Sequence, residues 1–252
     1  MKLSLKGNYA GNPIRISIRK SRRKTNNVAL FIHGSYGLSG DKGSKSLMLG
    51  KQILHEGLAH VAYYSSSRDW NTYFKKEDDA FSRAFSHKTF YEELDDLSDT
   101  LKFLIANSES LFSAQEDRFK IYVIANSLGG TLISMLASKF SHIEKMALCG
   151  SGLAVREEAQ KKPIMSTFPG KKDILKETVK YTKSVFLLQG SRDSIVPQIF
   201  QDELLDGFKN AKTKKKVVEG ANHNFSNIHG ENKDLAYNIY CNSILDYLKS
   251  HD

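Results

Sequence analysis

Read from its start, the chain first alternates. Leu3 and Leu5, then Ile14, Ile16 and Ile18, are apolar positions with polar residues between them, on either side of Gly11-Asn12-Pro13. Period-two patterning around a turn predicts an antiparallel hairpin with one wet face. The pattern then changes. Val28-Ile32, Ala59-Tyr64, Ile121-Ala125, Lys145-Leu148, Val185-Leu188 and Lys216-Val218 are short runs, most of them uniformly apolar or β-branched. Strands covered on both faces read this way.

Helical periods lie between the strands. Phe90, Leu94, Leu97, Leu101 and Leu104 recur at intervals of three and four, so one helical face carries all five. Leu128, Leu132, Met135 and Leu136 share a second face, and Leu235, Ile239, Leu245 and Leu248 a less regular third. Strand–helix alternation after a leading hairpin predicts an α/β fold, a mostly parallel sheet with helices on both faces. No repeat and no Pro/Gly/Ser linker divides the chain, so residues 1–252 are expected to form a single domain. Two segments fit neither period. Ser65-Thr89 is long for a connection, and Leu153-Lys183 carries Pro163 and Pro169. Each is as readily a surface excursion at the rim of a site as an indifferent loop.

Composition narrows the functional classes. Apolar residues make up 40% and charged residues 26% of the 252 positions, ordinary values that exclude wholesale disorder. The longest apolar runs hold five residues, Val28-Ile32 and Ile121-Ala125, whereas a bilayer span needs roughly 20. The first residues, MKLSLKGNYAGNP, lack the apolar core of a signal peptide, which makes a cytoplasmic location the expectation. Cys149 and Cys241 are too few for a disulfide framework or a zinc site and read as small buried hydrophobes. The net charge of +9 is concentrated in KSRRK at 20–24, Lys161-Lys162, Lys171-Lys172 and KTKKK at 212–216. No aromatic residues alternate with these runs as a nucleic-acid stacking platform requires. Solvated surface is the favoured reading, and a nucleic-acid partner is not expected.

Four strand ends carry the candidate chemistry. Ile121-Tyr-Val-Ile-Ala-Asn-Ser-Leu-Gly-Gly130 runs from a buried strand through Ser127 directly into a helix. So abrupt a turn strains its central residue and lifts the hydroxyl above the sheet edge at a helix N-terminus. Taken alone, Ser127 reads equally well as a helix cap. A hydroxyl needs a base to become a nucleophile, and the base needs an orienting carboxylate. Phe186-Leu187-Leu188-Gln189-Gly190-Ser191-Arg192-Asp193 places Asp193 just past one strand, and Val217-Val218-Glu219-Gly220-Ala221-Asn222-His223 places His223 just past another. All three polar residues therefore fall at strand carboxyl ends, where open α/β sheets build their ligand crevice. The fourth end is Phe31-Ile32-His33-Gly34-Ser35-Tyr36-Gly37. Acyl transfer develops an oxyanion that backbone amides stabilise. The Leu128 N–H is one donor by position, and Ser35 is the choice for the second, with Tyr36 the fallback.

In these four pieces and their order the sequence resembles the α/β-hydrolase family over nearly its whole length. His33-Gly34 matches the oxyanion loop, Asn126-Ser127-Leu128-Gly129-Gly130 the nucleophile elbow, Gly190-Ser191-Arg192-Asp193 with Val196-Pro197 the acid loop, and Gly220-Ala221-Asn222-His223 with Phe225 the base loop. Ala125 stands where the family's G-x-S-x-G motif has its first glycine. The resemblance implies an eight-stranded sheet, a lid-like excursion at about 153–183, and Ser127, Asp193 and His223 as a catalytic triad needing no metal and no organic cofactor. It implies a small-molecule acyl substrate, with a short-chain carboxylic ester first. Thioester or peptide cleavage, or a non-catalytic relative that binds a ligand or polyanion, stand as alternatives. Tyr36 and Trp70 are the candidate substrate-contacting residues. Asp69 is expected to order its own loop, and His33 to act as scaffold. His55, His60, His87, His142, His229 and His251 have no acidic or cysteine neighbour at a metal-ligand spacing.

Overall fold

A computed structural model describes residues 1–75, 77–226 and 233–250; His229 and His251 lie outside them. Eight strands form one sheet: β1 (Lys2–Lys6), β2 (Pro13–Arg19), β3 (Asn27–Ile32), β4 (His60–Ser65), β5 (Lys120–Asn126), β6 (Ile143–Cys149), β7 (Ser184–Gly190) and β8 (Lys212–Val218). Their spatial order is β1-β2-β4-β3-β5-β6-β7-β8. β1 pairs antiparallel with β2 and β2 with β4; every other neighbouring pair is parallel. The hairpin and the mostly parallel sheet expected from the patterning are both present.

The helices are α1 (Lys45–Glu56), α2 (Trp70–Tyr73), α3 (Ala80–Arg83), α4 (Phe90–Ala106), α5 (Ser108–Phe112), α6 (Leu128–Leu136), α7 (Lys171–Thr178), α8 (Gln198–Asp206) and α9 (Lys233–Lys249). α4 starts at a capping box, in which the Thr89 hydroxyl accepts from the Glu92 N–H and the Glu92 carboxylate accepts from the Thr89 N–H. Among the described residues no helix is long and apolar enough to cross a membrane.

The uniformly apolar strands divide by parity. Val28, Leu30 and Ile32 of β3 enter a core with Phe90, Leu97, Leu101 and Leu104 of α4 and with α6. Ala29 and Phe31 face the opposite side, where Leu49 and Ile53 of α1 and Ala236, Tyr240 and Ile244 of α9 cover them. A strand with two buried faces needs apolar residues at consecutive positions. On α9 the expected face holds in part: Leu245 and Leu248 are buried and Ile239 packs against the same core, whereas Leu235 is exposed, and Ala236, Tyr240 and Cys241 widen the buried face because the helix packs on both α1 and the sheet.

β8 is longer than the expected Lys216-Val218. It begins at Lys212, so the basic run KTKKK is a strand, exposed along all but its last residue. Lysines along a sheet edge discourage pairing with another chain.

β3 is the pivot of the topology. Its chain successor β4 lies on one side and β5 on the other, so the strand order reverses there. The loops leaving β3 and β5 must diverge at their carboxyl ends, and a crevice opens between them.

Candidate active site

Ser127 sits at that crevice, between β5 and α6, with φ 50° and ψ −124°. A non-glycine residue held at positive φ is strained and persists only where its surroundings over-determine it. Here its N–H donates to the Cys149 carbonyl at 2.8 Å, and its own carbonyl accepts from the Gly130 N–H at 2.9 Å. Ala125 lies in the ladder between Ile32 and Leu148, fully buried.

The loop after β3 comes in against this turn. A methyl group on Gly34 would stand 3.0 Å from the Ser127 Cβ and 3.3 Å from the Asn126 carbonyl oxygen, so glycine allows this close approach without displacing the turn. The Gly37 N–H donates to the Gly34 carbonyl, closing a turn in which Tyr36 takes φ 56°. Ser35, inside that turn, lines the cavities on both sides of Ser127. Leu128 is the first residue of α6, where the helix itself offers the backbone N–H no acceptor.

Asp193 and His223 meet. The imidazole Nδ1 lies 2.8 Å from Asp193 Oδ2, which assigns the proton to Nδ1 and leaves Nε2 with a free lone pair. Asp193 is buried and held by four donors: the N–H groups of Ile195 and Val196 on Oδ1, and Gln201 Nε2 (3.1 Å) with His223 on Oδ2. The turn after β6 presses on the pair, since a Cβ on Gly150 would be 3.2 Å from His223 Nδ1 and 3.4 Å from Asp193 Oδ2.

Two cavities flank Ser127. The larger, about 740 Å³, is also lined by His33, Ser35, Ser44, Lys45, Asn126, His223 and Ser226. The smaller, about 210 Å³, is bounded by Tyr36, Leu128, Val155, Met165, Phe168 and Val196. Ser127, Asp193, His223, Ser35, Leu128 and Tyr36 are thus gathered at one rim of the sheet. Trp70 is not. Its indole N–H donates to the Pro13 carbonyl and its ring lies under the Arg15 guanidinium at 3.8 Å. It lines a separate cavity that touches the larger one only through Leu38 and Ser39. A large aromatic ring in a loop fastened that loop to β2. Asp69 caps α2, accepting from the N–H groups of Asn71 and Thr72.

Beneath the β3 loop lies a buried charged cluster that the residue pattern did not expose. His33 Nδ1 donates to the Gly34 carbonyl at 2.6 Å, and its Nε2 accepts from the Ser66 N–H and faces Arg68 Nη2 at 3.2 Å. Burial, reinforced by the Arg68 charge and only partly opposed by Glu93, pulls its pKa down to about 4. Arg68 also donates to the Gly37 carbonyl at 2.8 Å. Lys88 meets Glu93 at 2.6 Å, Asp96 at 2.8 Å and the Ser67 carbonyl at 2.6 Å. Burial alone would raise the Glu93 carboxyl, but Lys88, His33 and Arg68 together leave it below its ordinary value. His33 is therefore scaffold: both ring nitrogens are committed, and the cluster fixes the carbonyls that shape the turn at Ser35. Among the described residues no group of three or more His, Cys, Asp or Glu side chains is placed to hold a metal ion.

The sheet topology is that of the α/β-hydrolase fold, and solved structures bear out the fold over nearly the full chain. Est1E from Butyrivibrio proteoclasticus with ferulic acid bound superposes with a TM-score of 0.64 at 14% identity, covering 96% of this chain and 98% of that one. A putative dienelactone hydrolase from Klebsiella pneumoniae gives 0.66 at 12% identity, covering 100% and 99%. A monoacylglycerol lipase from Paleococcus ferrophilus gives 0.64 at 16% identity, covering 95% and 99%. At such identities the likeness establishes the fold. No protein-family model and no curated protein matches the sequence.

Proposed function

We propose that this protein is a serine hydrolase that cleaves the carboxylic ester of a small or short-chain acyl substrate through an acyl-enzyme intermediate. The observation that carries the reading is the Asp193–His223 pair, joined at 2.8 Å, beside a cavity that the strained Ser127 also lines. With Nδ1 committed to Asp193, His223 Nε2 is the nitrogen able to take the Ser127 proton as Oγ attacks the carbonyl carbon. The carbonyl π electrons move onto oxygen, and the Leu128 and Ser35 amides hold that oxyanion. Collapse of the adduct breaks the bond to the alcohol oxygen, which receives the proton from His223. Water then repeats the sequence on the acyl-enzyme and frees Ser127 and the acid.

The preference for a small acyl group rests on the cavity beside Leu128. Its 210 Å³ falls below the roughly 300–1,000 Å³ of pockets that enclose drug-sized ligands, and its walls are mainly apolar. The acyl group is assigned to it and the alcohol portion to the larger, polar cavity. Likeness to an esterase with ferulic acid bound, a dienelactone hydrolase and a lipase supports hydrolysis as the class of reaction.

A fluorophosphonate probe tests the nucleophile. Wild type is expected to label one-to-one on Ser127, and Ser127→Ala to lose labelling and ester turnover with an unchanged circular dichroism spectrum. Undiminished labelling of Ser127→Ala would remove this serine from the mechanism.

A further inference from the structure

Lys45 breaks a local rule. It is the first residue of α1, after the cap Ser44, where the helix dipole disfavours a cation. The residue is half-buried, and its Nζ stands 4.7 Å from the Tyr240 ring centre and 5.1 Å from that of Phe225. It donates to the Asn224 carbonyl at 3.0 Å. An ammonium has three N–H donors, so this carbonyl satisfies one. No carboxylate pairs with Lys45 among the described residues.

The ammonium borders the larger cavity, together with Ser127 and His223. Among the described residues lining that cavity, Lys45 is the only lysine or arginine, and none is aspartate or glutamate. The rest of the wall is rich in hydroxyl and amide groups from Ser39, Ser44, Ser46, Asn126 and Ser226. Burial drags the lysine pKa down to about 8, an effect that the nearby Cys149, Cys241 and Asp193 only partly offset. A cation kept in so unfavourable a place, at a functional rim, is a rule broken where a ligand would repay it. An incoming anion would supply the missing partner and form a charge-assisted hydrogen bond.

We propose that Lys45 makes the larger cavity a recognition site for an anionic oxygen group, carboxylate or phosphate, on the alcohol portion of the ester. The inference deepens the hydrolase reading and rests on it for the word ester. The binding of an anion beside Lys45 stands separately.

The test uses three acetate esters of one shape: 3-acetoxybenzamide, which is neutral, 3-acetoxybenzoate, and 3-acetoxyphenyl phosphate. In wild type, at least one anionic ester is expected to exceed the neutral one by about tenfold or more in kcat/KM, mostly through KM. The anion with the larger advantage identifies the group the site prefers. Lys45→Gln, whose amide can still donate to Asn224, is expected to bring that ratio to within about threefold of unity, and Lys45→Arg to retain more of it. Equal kcat/KM for all three esters in wild type, or a preference undiminished in Lys45→Gln, would overturn the proposal. Calorimetry on wild type with 3-hydroxybenzoate and 3-hydroxybenzamide decides it without a variant. At least about tenfold tighter binding of the acid is expected, and equal affinities would overturn it. Hydrolysis of none of the esters, with the acid still preferred in calorimetry, would strike the hydrolase reading and leave the anion site standing.

Discussion

Lowering the pH from 7 to 5 should expose the free energy stored in keeping His33 neutral. Its pKa is pulled down to about 4 in the folded chain, against about 6.5 for an unperturbed imidazole. Between those values the unfolded chain binds a proton that the native chain refuses. Unfolding free energy therefore rises with pH across that window, and is lost as the pH falls through it. The full difference is worth about 3 kcal/mol at 1.36 kcal/mol per unit, and about 2 kcal/mol of it is already gone at pH 5. His60, whose pKa burial also lowers, adds a loss of the same sign, so the comparison must be with a variant. In His33→Gln the amide oxygen can accept from the Ser66 N–H in place of Nε2, and nothing titrates there. Urea unfolding of both proteins at pH 7 and pH 5 gives the difference directly. Wild type is expected to lose about 2 kcal/mol more than the variant. Equal losses, within about 0.5 kcal/mol, would mean that His33 protonates in place without disturbing Arg68, and the neutral-scaffold reading would be wrong.

Other perturbations follow from the same contacts. Asp193→Asn should keep the fold, which Gln201 and the Ile195 and Val196 amides support, yet lower kcat by about four orders of magnitude, as loss of the orienting aspartate does in a serine-protease triad. A loss under tenfold in a stopped ester assay would exclude it as the orienting acid. Gly150→Ala puts a methyl group 3.2 Å from the His223 ring at φ 62°. It should cost about 1–2 kcal/mol of stability and lower kcat more than it raises KM. Lys88→Met leaves the Glu93 and Asp96 carboxylates buried without their common cation. It should destabilise the fold by about 3–5 kcal/mol; a shift under 1 kcal/mol in chemical denaturation would show that the cluster relaxes around the loss.

The parts of this site that were legible in the chain are those whose signal is local. A buried strand that stops at small residues leaves its mark within ten positions, so the turns at Gly34, Ser127, Asp193 and His223 were each visible locally, and their order along the chain gave them a joint meaning that Ser127 alone lacks. Elements whose role depends on distant partners were not legible. Gln201 looks like any polar residue of an amphipathic helix until α8 brings it to Asp193. Arg68, Lys88, Glu93 and Asp96 are ordinary surface residue types, and only the packing of α4 under the loop after β4 makes them a cluster. In sequence Trp70 shows only as a loop aromatic; the π face presented to Arg15 and the bond to Pro13 hold it at a cavity separate from the two beside Ser127.

Charge shows the difference between type and place most clearly. Lysine run 212–216 and Lys45 are alike in residue type, yet one lies along an exposed sheet edge, and the other leans on two aromatic rings beside the cavity that Ser127 lines. The edge lysines cost little, since they stay exposed to water, and Lys215 also meets Asp202 at 2.7 Å. Lys45 gives up part of its hydration, and the helix dipole adds to the penalty. A neutral side chain at this position would relieve both at once. An anionic ligand would relieve the penalty as well, by supplying a partner for the ammonium, and the cavity that Lys45 shares with Ser127 is where that ligand would bind.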